Sequence, residues 1–302
     1  MTISWLQGVF RPMPTPFDEH GDLALGHLKA NLEWGRDPLL SGFVMMGSNG
    51  EAVHLDNDER RTIIESVRAA IPDSLRIIAG TGTFSTRETI TLTRDAAKAG
   101  ADAAMVLPPS YYRTQMTDEA VQKHFYAVAD ASSIPIVIYN VPGCTGIDLS
   151  AETIAKLASH ENIVGLKAST GNVVKLATLR GALGSGFRLL AGSAGFLLPA
   201  LSVGADGAVL ALANLAPTEC FALYQAVRDG NLHEARQLQI RLVALNSAVT
   251  ARGGVPALKE AMDQLGLYGG PVRQPLLPVS DEVRAALTDL LRSTGLLPLP
   301  AS

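Results

Sequence analysis

Short apolar runs alternate along the chain with longer stretches in which apolar residues recur every three or four positions. The runs are Gly8 to Met13, Gly42 to Met46, Arg76 to Gly80, Ala103 to Leu107, Ile134 to Tyr139, Ile163 to Lys167, Arg188 to Gly192 and Gly207 to Ala211. Most are continuously apolar rather than alternating, the pattern of parallel strands buried on both faces. Helix starts fall between them. Asp56-Asn57-Asp58-Glu59 opens one helix, Ser85-Thr86-Arg87-Glu88 reads as a capping box, and Ser150-Ala151-Glu152 opens another. Gly100-Ala101-Asp102 and Gly204-Ala205-Asp206 read as helix ends feeding the next strand. Eight strand–helix units in about 230 residues predict an α/β fold, the (β/α)8 TIM barrel. A doubly wound open sheet competes, but it usually carries a glycine-rich phosphate loop after an early strand. Gly80-Thr81-Gly82-Thr83 is too short for one and lacks the following glycine.

Past residue 230 the strand signals stop. His233 to Thr250, Val255 to Leu265 and Ser280 to Ser293 read as helices, with a less regular stretch starting at Leu245-Asn246-Ser247-Ala248-Val249 and a break at Tyr268-Gly269-Gly270-Pro271. The expected organisation is a catalytic barrel over residues 1–230 and a C-terminal helical segment over 231–302 packed on it, with Leu296 to Ser302 as a loose tail. The 302 residues, 47% of them hydrophobic, suffice for a large core. A net charge of −4 and no lysine/arginine stripe argue against nucleic acid as a partner. The longest apolar runs are too short to cross a bilayer, so no membrane partner is expected. The first residues lack the marks of a secretory signal or transit peptide. Two cysteines make a disulfide framework unexpected and fit a reducing compartment, so a cytoplasmic location is expected.

In a barrel of this kind the chemistry lies at the C-terminal ends of the strands. Those ends carry Gly47-Ser48-Asn49-Gly50-Glu51, Pro108-Pro109-Ser110-Tyr111-Tyr112-Arg113, Tyr139-Asn140-Val141-Pro142, Lys167, Gly192-Ser193-Ala194-Gly195 and Ala211-Leu212-Ala213-Asn214. Lys167 ends a strand of otherwise apolar residues, whereas the other six lysines sit in helix-patterned segments where a solvated lysine is the ordinary reading. Burial penalises an ammonium ion, and a neutral amine attacks carbonyls. The six histidines are scattered and no metal-ligand spacing is present, so neither a metal nor a cofactor is expected. The chemistry this implies is imine formation between Lys167 and a 2-oxo acid. Tyr139, on the neighbouring strand end, is the candidate proton shuttle. Ser48 and Asn49, in a glycine-flanked turn, are candidates to bind the carboxylate through N–H and side-chain donors. Ser169, two residues past the lysine, is a further substrate-binding candidate. Glu51 reads as a brace of its loop, and Cys144 as a pocket-lining or buried thiol.

Taken together, these motifs resemble the dihydrodipicolinate synthase / N-acetylneuraminate lyase family of class I aldolases over nearly the full length. The resemblance rests on Gly47 to Glu51, Tyr111-Tyr112, Tyr139 to Pro142 and Gly165-Leu166-Lys167. It implies that Lys167 forms the Schiff base, that Tyr139 moves the proton, and that Ser48 with Tyr112 completes a hydroxyl relay. Tyr112 is then lent across a dimer interface, in a homotetramer built as a dimer of dimers. It places Gly192 and Val209 on the pocket wall. Dihydrodipicolinate synthases carry an arginine two residues after the proline of the strand-five motif, where this chain has Cys144, and a thiol does not replace a bidentate guanidinium. Leu190 to Leu197, Ala211 to Asn214, Gly254 to Lys259 and Tyr268 to Pro271 look more like 4-hydroxy-2-oxoglutarate aldolases. The expectation is therefore a cofactor-free aldolase with pyruvate and an aldehyde as its small-molecule partners. The best substrate expectation is reversible cleavage of 4-hydroxy-2-oxoglutarate to pyruvate and glyoxylate. The alternatives are a 2-keto-3-deoxy-sugar-acid aldolase or dehydratase, a true dihydrodipicolinate synthase, and a non-enzymatic 2-oxo-acid sensor.

Overall fold

A computed structural model describes residues 3–36 and 38–298. Eight parallel strands close into a barrel in chain order: β1 (Gly8–Pro12), β2 (Leu40–Met45), β3 (Arg76–Gly80), β4 (Ala103–Val106), β5 (Ile136–Asn140), β6 (Ile163–Ala168), β7 (Arg188–Ala191) and β8 (Gly207–Val209). Helices run outside it: α1 (Leu25–Glu33), α2 (Asn57–Ala70), α3 (Thr86–Lys98), α4 (Asp118–Ala131), the single turn α5 (Pro142–Thr145), α6 (Ala151–Leu157), α7 (Val173–Leu183), α8 (Leu197–Ser202) and α9 (Pro217–Arg228). The fold is the (β/α)8 barrel.

The continuous apolar runs divide their side chains between two cores. Phe10, Val44, Ile78, Met105, Val137, Leu190 and Val209 pack inside the barrel. A larger cluster, including Phe43, Met45, Ile77, Val106, Ile138 and Leu189, fills the layer between strands and helices. Burial on both faces is why the strands show no polar alternation.

Local signals place the helices. Asp56 and Glu59 form a full capping box at α2. At α3 the Ser85 hydroxyl accepts from the Glu88 amide, but the Glu88 carboxylate accepts from Asn57 rather than turning back to Ser85, so the expected box is half made. The two Gly-Ala-Asp turns do the same work at the opposite end of the barrel from the site. Gly100 and Gly204 take left-handed φ of 103° and 99°. Asp102 then accepts from the Ile77 amide and pairs with Arg76, as Asp206 accepts from the Leu189 amide and pairs with Arg188.

After α9 come α10 (Leu232–Ser247), a π-helical stretch over Ala248–Arg252, α11 (Gly254–Gln264) and α12 (Asp281–Ser293). We propose residue 230 as the boundary between barrel and helical segment, where Gly230 turns with φ 76°. The irregularity expected from Leu245 onward is the π-helical turn. The expected loose tail is packed at its start: Leu296 and Leu297 are partly buried and both donate to the Leu291 carbonyl. Residues 299–302 of that tail lie outside the described residues. No described helix is long and apolar enough to cross a membrane.

Candidate active site

Lys167 faces the barrel interior because of a register shift. Ile136 pairs with Ile163, but Val137 pairs with Gly165, so Val164 is an extra residue on β6. Side chains alternate along a strand, and one extra residue reverses the faces of those that follow. Val164 lies in the inner core, Leu166 lies in the outer one, and Lys167 comes to pair with Tyr139. Without the bulge Leu166 would point inward and the lysine outward.

Lys167 is 5% exposed, and its Nζ lies 4.1 Å from the centre of the Tyr139 ring. Among the described residues no carboxylate ion-pairs with Nζ, which leaves the nitrogen free for covalent chemistry. The Tyr139 hydroxyl is 3.1 Å from the Ser48 hydroxyl. The Cys144 thiol, on α5, donates to the same Ser48 oxygen at 3.8 Å. Lys167, Tyr139, Ser48 and Cys144 therefore stand together. Ser48 and Asn49 occupy a 3-10 turn over Ser48–Gly50, whose Ser48 and Asn49 amides have no acceptor among the described residues. The start of such a turn attracts anions.

The far wall follows from β6 and β7. The ladder continues one residue past each strand, with Ser169 N–H donating to Asn140 and Gly192 N–H to Ala168. A Cβ on Gly192 would lie 2.1 Å from the Ser169 hydroxyl, so only glycine permits this approach. Val209 is buried in the inner core. Tyr112 stands apart. It is exposed, stacks edge-on against Tyr111, and makes no hydrogen bond to Ser48 within the chain. Phe84 extends this exposed aromatic cluster.

The turn is braced from the C-terminal segment, which sequence reasoning missed. Lys259 does not lie in solvent: it is 1% exposed and its Nζ is 2.6 Å from Oε1 of Glu51. The segment Val255-Pro256-Ala257-Leu258-Lys259 is as apolar before its lysine as β6 is before Lys167, and that was the available signal. Burial pushes Lys259 below the ordinary lysine range, and the Glu51 charge opposes the shift. Glu51 is thus a brace, as its sequence context predicts. α10 grips the turn after β7 in a similar way. Gln239 accepts from the Leu198 amide and donates to the Ala194 carbonyl, and Asn246 donates to the Ser193 hydroxyl.

The sequence pattern of the "Dihydrodipicolinate synthetase family" matches residues 5–294. The probable mitochondrial 4-hydroxy-2-oxoglutarate aldolase of Emericella nidulans is 40% identical over 287 residues, 93% of each chain. The 4-hydroxy-tetrahydrodipicolinate synthase of Methanothrix thermoacetophila is 37% identical over 286 residues, covering 94% of this chain and 96% of that one. Among solved structures, the chloride-inhibited dihydrodipicolinate synthase of Acinetobacter baumannii, complexed with pyruvate, superposes with a TM-score of 0.92 at 32% identity, covering 97% of this chain and 100% of that one. With nearly all of its length matched, a closed barrel of eight strands and a lysine turned inward beside a tyrosine, the chain belongs to the dihydrodipicolinate synthetase family and is a lyase of the class I, Schiff-base type.

Proposed function

We propose that the enzyme is a pyruvate-dependent aldolase that reversibly cleaves 4-hydroxy-2-oxoglutarate to pyruvate and glyoxylate. The Lys167 amine attacks C2 of the 2-oxo acid and water leaves, giving an iminium. Tyr139 takes the C4 hydroxyl proton as the C3–C4 bond breaks, and the bonding electrons pass into the iminium as an enamine. The aldehyde departs, the enamine is protonated at C3, and hydrolysis frees pyruvate and the lysine. Ser48 relays the proton, and Ser48 with Asn49 holds the C1 carboxylate. Ser169, Gly192 and Val209 form the opposite wall. The observation that carries this reading is the chain of contacts from Lys167 over the Tyr139 ring to the Ser48 hydroxyl.

The substrate rests on Cys144. Its thiol touches Ser48 at the position where dihydrodipicolinate synthases carry a carboxylate-binding arginine, so the second-substrate pocket offers no guanidinium there. The Emericella relative supports the same substrate by its name. The relative from Methanothrix favours a second reading, synthesis of 4-hydroxy-tetrahydrodipicolinate. Turnover separates the two. The enzyme is expected to release glyoxylate from 4-hydroxy-2-oxoglutarate and to accept glyoxylate with pyruvate in the reverse direction. Aspartate semialdehyde proving the best acceptor would overturn the substrate assignment. Tyr112 and the exposed aromatic cluster around it fit a dimer in which each protomer completes the relay of the other. The two free thiols fit a cytoplasmic enzyme.

A further inference from the structure

Two residues bracket the turn that presents Ser48 and Asn49. Met46 has φ 54° and Glu51 has φ 51°, and they are the two non-glycine residues with left-handed backbone among the described residues. Side-chain-bearing residues hold that conformation only where their surroundings fix it. On one side the Gly50 carbonyl accepts from the buried Thr15 hydroxyl at 2.7 Å. On the other, the Glu51 carboxylate is held at both oxygens. Oε1 pairs with Lys259, while Oε2 accepts from the Arg273 amide at 2.9 Å and lies 3.2 Å from Nδ1 of His54. Lys259 also donates to the Pro271 carbonyl at 2.8 Å and sits 4.6 Å above the Phe17 ring. A dry ion pair gains little stability over an apolar pair of the same volume. What this one does is tie a left-handed residue of the binding turn to a segment more than two hundred positions away.

We propose that the Glu51–Lys259 pair positions the Ser48–Asn49 turn for the 2-oxo acid, which makes Lys259 of the C-terminal helical segment a positioning residue for a site on the barrel. The inference rests on the carboxylate-binding role given to Ser48 and Asn49 above. Neither Glu51 nor Lys259 touches Lys167 or Tyr139, so their action is on binding and not on the covalent step. Once Glu51 is untied it relaxes out of the left-handed region, and the turn moves Ser48 and Asn49 with it.

The test is borohydride trapping of Lys167 as a function of pyruvate concentration. Removing one partner strands a buried charge, so the informative variant is Glu51→Gln/Lys259→Met, which leaves none. Its half-saturating pyruvate concentration is expected to rise about tenfold or more, with the same extent of labelling at saturation and a melting temperature close to the parent's. Glu51→Asp, which keeps the charge and shortens the arm, serves if the double variant does not fold; it is expected to raise the half-saturating concentration too. Asp206→Asn is the control, lowering the melting temperature from the opposite end of the barrel without moving that concentration. An unchanged half-saturating concentration in the double variant, or in Glu51→Asp where that one is used, would overturn the proposal, as would an equal rise in Asp206→Asn. Absence of any Lys167 adduct in the parent protein is a different failure, which removes the function reading and this inference with it.

Discussion

Lys167 owes its place to one extra residue. Five of the six residues of β6 are apolar or glycine, so their pattern cannot say which way the lysine points. The sequence reveals the anomaly of a charge in an apolar run but not the bulge at Val164 that aims it, because a bulge is a relation between two strands. Lys259 makes the same point in reverse. Its helical spacing suggested solvent, and only the tertiary fold brings Glu51 to it. Tyr139 was legible from its position beside the lysine strand, and its hydroxyl now has a partner in Ser48. One neutral hydrogen bond contributes about 1 kcal/mol net, whereas a proton shuttle contributes about a hundredfold to ten-thousandfold in rate. Tyr139→Phe is therefore expected to keep its fold and lose at least about a hundredfold in kcat. Thermal melting and steady-state kinetics on the same sample check both halves. A kcat within a few-fold of the parent would remove Tyr139 from the chemistry.

At the scale of elements, strands and helix starts were legible where the signal is local. The Asp56 box, the Ser85 and Ser150 caps and the two Gly-Ala-Asp turns each involve residues a few positions apart. What local signals miss is a second partner reaching in from afar. Glu59 belongs to the Asp56 box and also forms a two-oxygen ion pair with Arg273, which ties the start of α2 to the C-terminal segment. The Arg273 hydrogen bond holds the Glu59 carboxyl below its usual 4.5, with burial opposing the shift. A carboxyl lowered on folding contributes stability that is complete above its unfolded pKa and is lost as pH falls through the lower folded value. Glu59→Gln is thus expected to be less stable than the parent by a constant margin at neutral pH. The margin should shrink below about pH 4.5, as denaturant melts at a series of pH values will read. A margin that stays constant down to pH 3 would show that the ion pair contributes nothing.

For the whole molecule, a closed barrel places its strand ends in a ring, and the C-terminal helices hold two of the loops that rise from it. α10 holds the turn after β7 through Gln239 and Asn246, and α11 with the segment behind it holds the turn after β2 through Lys259 and Arg273. The sequence showed these helices as an appendage because their contacts with the barrel are long-range: Leu242, Leu245, Ala257 and Leu258 join the core between strands and helices, and a helical period does not say what an apolar face packs on. The catalytic unit is therefore barrel and helices together. Within it, Lys167 is the residue we propose to bond to the substrate. Borohydride reduction in the presence of pyruvate, followed by intact mass and peptide mapping, tests it directly. One reduced pyruvate adduct per chain is expected, on the peptide carrying Lys167, and none in Lys167→Ala. No adduct, or an adduct on the other deeply buried lysine, Lys259, would contradict it.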